Sequence, residues 1–171
     1  PSSGKRTNST VRRRYFKALK NCSPCSIGQR RSRSEWMISS GVDAFKAVGT
    51  PKNPGTRLFS VSGHINRPGV YEVELGYPWM KFLDEDCGGV PQGRAIKCVV
   101  PGGVSSKVLT GADIANLKLS HEDLWDAGST LGSGGMIVIA EGTCMVALLQ
   151  VLMRFYHHES CGQCTPCRHG T

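Results

Sequence analysis

Three cysteines, Cys161, Cys164 and Cys167, follow one another as C-x₂-C-x₂-C directly after a stretch of apolar helical periodicity. That spacing gathers three thiolates on one tight turn, where they repel one another unless a cation neutralises them. Adjacent C-x₂-C steps are poor disulfide partners for a wider framework and good metal ligands, so the chain reads as one for a reducing compartment. Three readings compete for the trio: an iron–sulfur cluster, a zinc site and a redox dithiol. Structural zinc draws its ligands as two pairs from separated knuckles, whereas a continuous run of this kind is the pattern of cubane ligation. The pattern therefore favours a [4Fe–4S] cluster over zinc and over dithiol chemistry. Such a cluster takes four thiolates, and in a ferredoxin-type run the fourth stands at C-x₃-C, which here is Thr171. The fourth ligand is expected to be remote in sequence, and the 171 residues to be part of something longer.

The net charge of +8 invites a nucleic-acid reading, but its distribution opposes one. Ten of the 21 Lys and Arg, and only one acid (Glu35), lie in residues 1–35, leaving the remainder close to neutral. A nucleic-acid face interleaves its basic residues with folded structure, so no nucleic-acid partner is expected. Residues 1–37 show no sustained period of 2 or 3.6. Three explanations compete for this segment: a disordered basic tail, a nucleic-acid-binding arm, or residues outside the native reading frame. Disorder is the expectation. Its C-x₂-C, Cys22 and Cys25, reads as chance cysteines rather than a zinc half-site, because no second pair follows at finger spacing. No apolar stretch exceeds about half a dozen residues, against the roughly twenty that span a bilayer. The first residues also lack the apolar core of a secretory signal. Direct membrane insertion is therefore not expected.

From Ile38 the texture changes. Residues 39–49 suit a short helix ended by a glycine, and Thr50 to Gly55 a turn-rich linker. Leu58 to Gly63 reads as a strand, and His64 to Gly69 as a hairpin loop. The return strand, Val70 to Leu75, alternates with Tyr71, Val73 and Leu75 on one side. Pro78 opens a helix that places Trp79, Phe82 and Leu83 on one face and stops at Gly88-Gly89. Ala95 to Val100 is a further strand, and Met136 to Ala140 has the signature of a buried one. The order strand–strand–helix–strand is that of a small β-grasp (ubiquitin-like) module, in which one helix crosses a mixed sheet. A last helix is expected from about Cys144 to His158, with Thr143 as N-cap and Met145, Leu148, Leu149, Leu152 and Phe155 on its apolar face. Thr165-Pro166 then resembles the cap and first-turn proline of another helix. The fold class is α+β: the β-grasp module followed by the start of a helical metal-binding domain.

Other chemistry-bearing residues have plainer explanations. Gly132-Ser133-Gly134-Gly135 precedes a strand and lacks the Gly-Lys-Ser/Thr of a phosphate loop, so it reads as a tight turn. His157 and His158 read as surface residues complementing a helix C-terminus, and His64 has no assigned role. Cys87, Cys98 and Cys144 read as small packed hydrophobes. No Ser/His/Asp or paired-carboxylate arrangement stands out, so no catalytic residue is assigned.

Two runs strongly resemble one family. Leu58-Phe59-Ser60-Val61-Ser62-Gly63-His64-Ile65-Asn66-Arg67-Pro68-Gly69-Val70-Tyr71-Glu72 is the first, and Leu152 through Glu159-Ser160-Cys161-Gly162-Gln163-Cys164-Thr165-Pro166-Cys167-Arg168 the second. Both look like the NADH- and FMN-binding flavoprotein subunit of NADH:quinone oxidoreductase, respiratory complex I, over about residues 38–171. The resemblance implies an SLBB-type β-grasp domain at 57–141, a short helix and linker at 38–56, and a truncated helical [4Fe–4S]-binding domain at 142–171. It places Cys161, Cys164 and Cys167 on the three clustered ligands, with the fourth some tens of residues downstream. It implies an enzyme that passes electrons from NADH through FMN to the cluster and on to quinone. Its partners would be the other peripheral-arm subunits, on the cytoplasmic face of the plasma membrane or the mitochondrial matrix side. The glycine-rich flavin loop and the NADH-pocket residues of the family are absent, so no FMN- or NADH-binding residue is assigned and the fragment alone is expected to be inactive. A diaphorase subunit of an NAD-reducing hydrogenase or formate dehydrogenase resembles the same stretch. A non-catalytic β-grasp module with a structural zinc site is the alternative of another class.

Overall fold

The computed structural model describes residues 38–170. The expectations for residues 1–37, including disorder, the Cys22/Cys25 pair and the reading frame, lie outside the described residues, as does Thr171.

The described residues fall into two compact units, one of residues up to Leu58 with Glu72–Gly76, the other of Phe59–Tyr71 and everything from Tyr77 onward. In the first, helix α1 (Val42–Lys46) follows Gly41, and the stretch read as a linker is a tight turn. The Gly55 N–H donates to the Val48 carbonyl at 2.6 Å, and Thr50 and Asn53 bond each other through backbone and hydroxyl. Strand β1 (Thr56–Gly63) begins in this unit and β2 (Gly69–Glu74) ends in it. Val73 and Leu75 are buried and Glu74 is exposed, as the alternation of the return strand requires.

The second unit is built on a mixed five-stranded sheet. Its further strands are β3 (Ile96–Val100), β4 (Leu109–Thr110) and β5 (Gly135–Ala140), in the order β2-β1-β5-β3-β4. β5 pairs parallel with β1 on one side and antiparallel with β3 on the other. Both of its backbone edges are thus satisfied, and Met136, Val138, Ile139 and Ala140 are buried. The β3–β5 register shifts between Ile96 and Cys98, so one residue of β3, Lys97, has no opposite number on β5. At the end of β1, Gly63 has φ 88°, and a Cβ there would lie 2.2 Å from the Val138 carbonyl oxygen. Glycine is therefore required for the close approach, which His64 N–H completes by donating to that oxygen at 2.7 Å.

The helix opened by Pro78 forms, but not as a regular one. Three residues, α2 (Trp79–Lys81), lead into a π turn over Phe82–Asp86, closed by the Cys87 N–H on the Phe82 carbonyl at 3.1 Å. Trp79, Phe82, Leu83 and Cys87 are fully buried, and Phe82 lies against Phe59 and Tyr71 with ring centroids 6.0 and 5.6 Å away. Two short helices lie between β4 and β5: α3 (Gly111–Ile114) and α4 (His121–Asp126). Each has a sequence signature. Thr110 and Asp113 form a reciprocal capping box, and the Ser120 hydroxyl accepts from the Asp123 N–H at 3.0 Å. The glycine cluster is the tight turn its sequence suggested, the Ser133 N–H donating to the Gly102 carbonyl at 3.1 Å.

Truncating one of the fully buried aromatics tests this packing. Phe82→Ala should lower the free energy of unfolding in urea by about 3–5 kcal/mol, whereas Trp125→Ala, at a residue 77% exposed, should change it by less than about 0.5 kcal/mol.

Candidate metal centre

The cysteine run is positioned by the helix that follows β5. Glu141-Gly142-Thr143 make the connection, held from below by the Glu141 N–H on the Ala95 carbonyl and by Lys97 Nζ, which donates to the Thr143 carbonyl at 2.9 Å. The residue left over by the β3 irregularity thus supplies the cation that fixes the helix entry. Helix α5 spans Met145–Glu159 with Cys144, not Thr143, as its N-cap. Its inner stripe is Met145, Leu148, Leu152 and Tyr156, all half-buried. Met145 and Leu148 pack on Cys98, Val100 and Ile139 of the sheet, with Met145 Sδ 3.7 Å from Cys98 Sγ.

The stripe is narrower than the sequence pattern suggested. Leu149 and Phe155, expected on the apolar face, are 55% and 53% exposed, and Val146 and Val151 are exposed as well. α5 carries apolar side chains around more of its circumference than one sheet face covers.

Cys144 corrects another expectation. Cys87 and Cys98 are buried, as packed hydrophobes should be, but Cys144 is exposed. The backbone N–H groups of Ala147 and Val146 at the open end of α5 lower its thiol pKa. Burial has the opposite effect on Cys98 and raises its pKa against the pull of Lys97. His64, without an assigned role from sequence, ties the hairpin to β5 by accepting the Ala140 N–H on Nδ1 at 3.4 Å.

α5 ends at Ser160, whose backbone turns extended. Gly162 takes φ 69°, and the chain enters α6 (Thr165–Gly170), with the Arg168 N–H donating to the Cys164 carbonyl at 3.0 Å. Cys161 and Cys164 are exposed on the loop and Cys167 is half-buried on α6. The Ser160 hydroxyl lies 2.9 Å from Cys167 Sγ and accepts the Gly162 N–H at 3.2 Å. His158 bonds Glu159 at 3.1 Å on the exposed end of α5, and His157 is exposed beside it. Among the described residues no three His, Cys, Asp or Glu side chains converge as a preformed metal cage. The donor set itself, three thiols within seven residues on one loop and one helical turn, fits soft-metal chemistry, iron–sulfur above all.

The terminal stretch matches a family model described as the NADH-ubiquinone oxidoreductase-F iron-sulfur binding region, over residues 147–171. The match gives the class of the terminal stretch alone, a region similar to the iron–sulfur binding region of those proteins. Similarity to known proteins extends over most of the chain. The chain is 40% identical over 134 residues to an NADH-quinone oxidoreductase F protein of Rhizobium meliloti, covering 78% of this chain and 32% of that protein. It is 43% identical over 135 residues to the corresponding F protein of Mycobacterium bovis, covering 79% of this chain and 30% of the relative. Identity reaches 45% over 127 residues with the mitochondrial NADH dehydrogenase [ubiquinone] flavoprotein 1 of Dictyostelium discoideum, covering 74% and 26%. Among solved structures, an NAD+-reducing [NiFe]-hydrogenase superposes with a TM-score of 0.63 at 31% identity, covering 78% of this chain and 22% of that one. Over its matched stretch the chain is a homologue of the NADH-quinone oxidoreductase F proteins, as the two motifs implied. It spans about a third of the length of the curated relatives it matches.

The two non-cluster cysteines of opposite environment give a direct test. A thiol whose pKa is lowered by folding holds more thiolate than the unfolded chain at every pH between that lowered value and its ordinary 9.0. Its contribution to stability is complete above 9.0 and is lost as the pH falls through the lowered value. Iodoacetamide at pH 7, followed by peptide mass spectrometry, should therefore alkylate Cys144 faster in the folded than in the urea-unfolded chain. Cys98 should be protected when folded and react only on unfolding.

Proposed function

We propose that this chain contributes the middle domain and the first part of the cluster-binding domain of an NADH-oxidising flavoprotein subunit, in which electrons pass from NADH through FMN to a [4Fe–4S] cluster and on to quinone. The observation that carries this reading is the C-x₂-C-x₂-C trio lying inside the family-matched residues 147–171. Cys161, Cys164 and Cys167 supply three of the four thiolates, and the fourth comes from outside the trio. When bound, the cluster supplies one-electron acceptance beside the flavin of the complete subunit.

The remaining work belongs to this chain's residues. The sheet acts as a base, Lys97 and Ala95 fix the entry of α5, and α5 leads to the cysteine loop. The N–H groups of the loop and the charge of Arg168 offset part of the negative charge that thiolate and sulfide bring to the site. We assign the sheet to the β-grasp, SLBB-type class; its mixed pairing, with β1 and β5 parallel at the centre, supports the assignment. The division into 38–56, 57–141 and 142–171 is the domain plan that goes with it. In this reading the partners are the other peripheral-arm subunits and the location is the cytoplasmic or matrix face of the energy-transducing membrane. Among the described residues no helix is long and apolar enough to cross that membrane. The exposed apolar side of α5 supports packing within a larger assembly.

A second reading, the diaphorase subunit of an NAD-reducing hydrogenase, is favoured by the hydrogenase superposition. Neighbouring genes separate the two: hydrogenase maturation and large-subunit genes beside this one decide for the second.

Iron and acid-labile sulfide in the full-length gene product, isolated without air, test the shared core of both. About four of each per chain are expected, with a brown colour bleached by dithionite; Cys161→Ala, Cys164→Ala and Cys167→Ala should each abolish it. A colourless protein with one zinc decides for the structural-site alternative. The 171-residue chain by itself is expected not to reduce ferricyanide with NADH.

A further inference from the structure

We propose that Ser160 is a positioning residue for Cys167, donating a hydroxyl hydrogen bond to the ligand sulfur and thereby raising the reduction potential of the cluster. The inference rests on the [4Fe–4S] reading above and goes beyond it by assigning a role to a residue that is not a ligand.

Ser160 stands where α5 stops and the cysteine loop starts. Its Oγ makes two contacts, accepting the Gly162 N–H at 3.2 Å and lying 2.9 Å from Cys167 Sγ, seven residues away in sequence. A hydroxyl has one proton and two lone pairs. An N–H already occupies one lone pair, which leaves the proton for the sulfur. A metal-bound thiolate has no proton to return, so with Cys167 ligated the bond runs in one direction, O–H to S. The side chain is half-buried, which limits competition from water for this proton.

Two effects follow. The first is geometric: one hydroxyl ties the end of α5, the left-handed Gly162 and the sulfur on α6 together, so the loop bearing Cys161 and Cys164 is closed at both ends. The second is electronic. Reduction adds negative charge to the cluster and its sulfurs, and an O–H dipole aimed at one of them stabilises the reduced form more than the oxidised one. The bond strengthens as the acceptor gains charge, and an effect of about tenfold on the redox equilibrium is expected.

The test uses the full-length gene product and its Ser160→Ala and Ser160→Thr variants, each isolated without air. Iron and sulfide content report on the cluster itself, and midpoint potentials followed by EPR report on the hydrogen bond. Ser160→Ala should disfavour the reduced form about tenfold, about 59 mV toward negative potential for a one-electron couple, while Ser160→Thr, which keeps the hydroxyl, restores the wild-type value. The Fe–S stretching bands in resonance Raman should shift on transfer to D₂O by less in the alanine variant than in the other two. Loss of the cluster from the alanine variant alone, with the threonine variant loaded, also supports the role. Loss from both variants overturns it, as do equal potentials and equal isotope shifts at unchanged iron content, and these results leave the cluster assignment standing. A full-length wild-type protein that holds no iron and labile sulfide removes the assignment and this inference together.

Discussion

The double pairing of β5 is the constraint on which the rest of the molecule depends. β1 lies parallel against residues 135–138 of this strand and β3 antiparallel against residues 137–140, so it is flanked on both sides and most of its side chains must be apolar. Met136, Val138, Ile139 and Ala140 meet that demand by being apolar in a nearly unbroken run. A short connection leads from the strand into the helix that bears the cysteine loop, so whatever fixes β5 in space also fixes the origin of that loop. Gly63, with no Cβ to obstruct the Val138 carbonyl, and His64, accepting from Ala140, hold it from the hairpin side. Lys97 and Ala95 hold its exit from the other.

The cysteine segment illustrates how weak local structure and strong chemistry coexist. Gly162 and the short α6 give the loop little cohesion of its own. Cohesion comes from small polar contacts, the Ser160 hydroxyl and the Arg168-to-Cys164 backbone bond, and in the proposed holoprotein from coordination itself. A scaffold of this kind separates two tasks, rigidity in the sheet and adaptability at the ligands.

Much of the architecture was legible in the sequence because the relevant periods were clean. Val73 and Leu75 alternate with Glu72 and Glu74, Met136 to Ala140 is an apolar run of strand length, and Met145, Leu148 and Leu152 recur at helical spacing. The features not read have local physical causes. The π turn at Phe82–Asp86 leaves no mark on apolar spacing, since Trp79, Phe82 and Leu83 suit an ordinary helix equally well. Helices α3 and α4 are too short for periodicity to register, although Thr110 with Asp113 and Ser120 with Asp123 carry capping signatures that would have located them. Leu149 and Phe155 were assigned to the buried face because their spacing qualifies them; which part of an apolar circumference is covered depends on the surface opposite, and the sheet offers a narrow one. Cys144 escaped for a related reason, since apolar neighbours in sequence do not bury a side chain at the open end of a helix. At the candidate site, the three cysteines and their spacing are plain in the motif, whereas the Ser160 contact, between residues seven apart, needed coordinates.

The irregularity between Ile96 and Cys98 has an implication for how such a chain tolerates change. A bulge acts as a key in a keyway: β3 and β5 seat in one alignment, because sliding either past the other would leave the unmatched residue with nowhere to go. Deleting Lys97 would erase the keyway and, with it, the ammonium that reaches the Thr143 carbonyl, so one lost residue on β3 would loosen the root of the helix that bears the sulfurs.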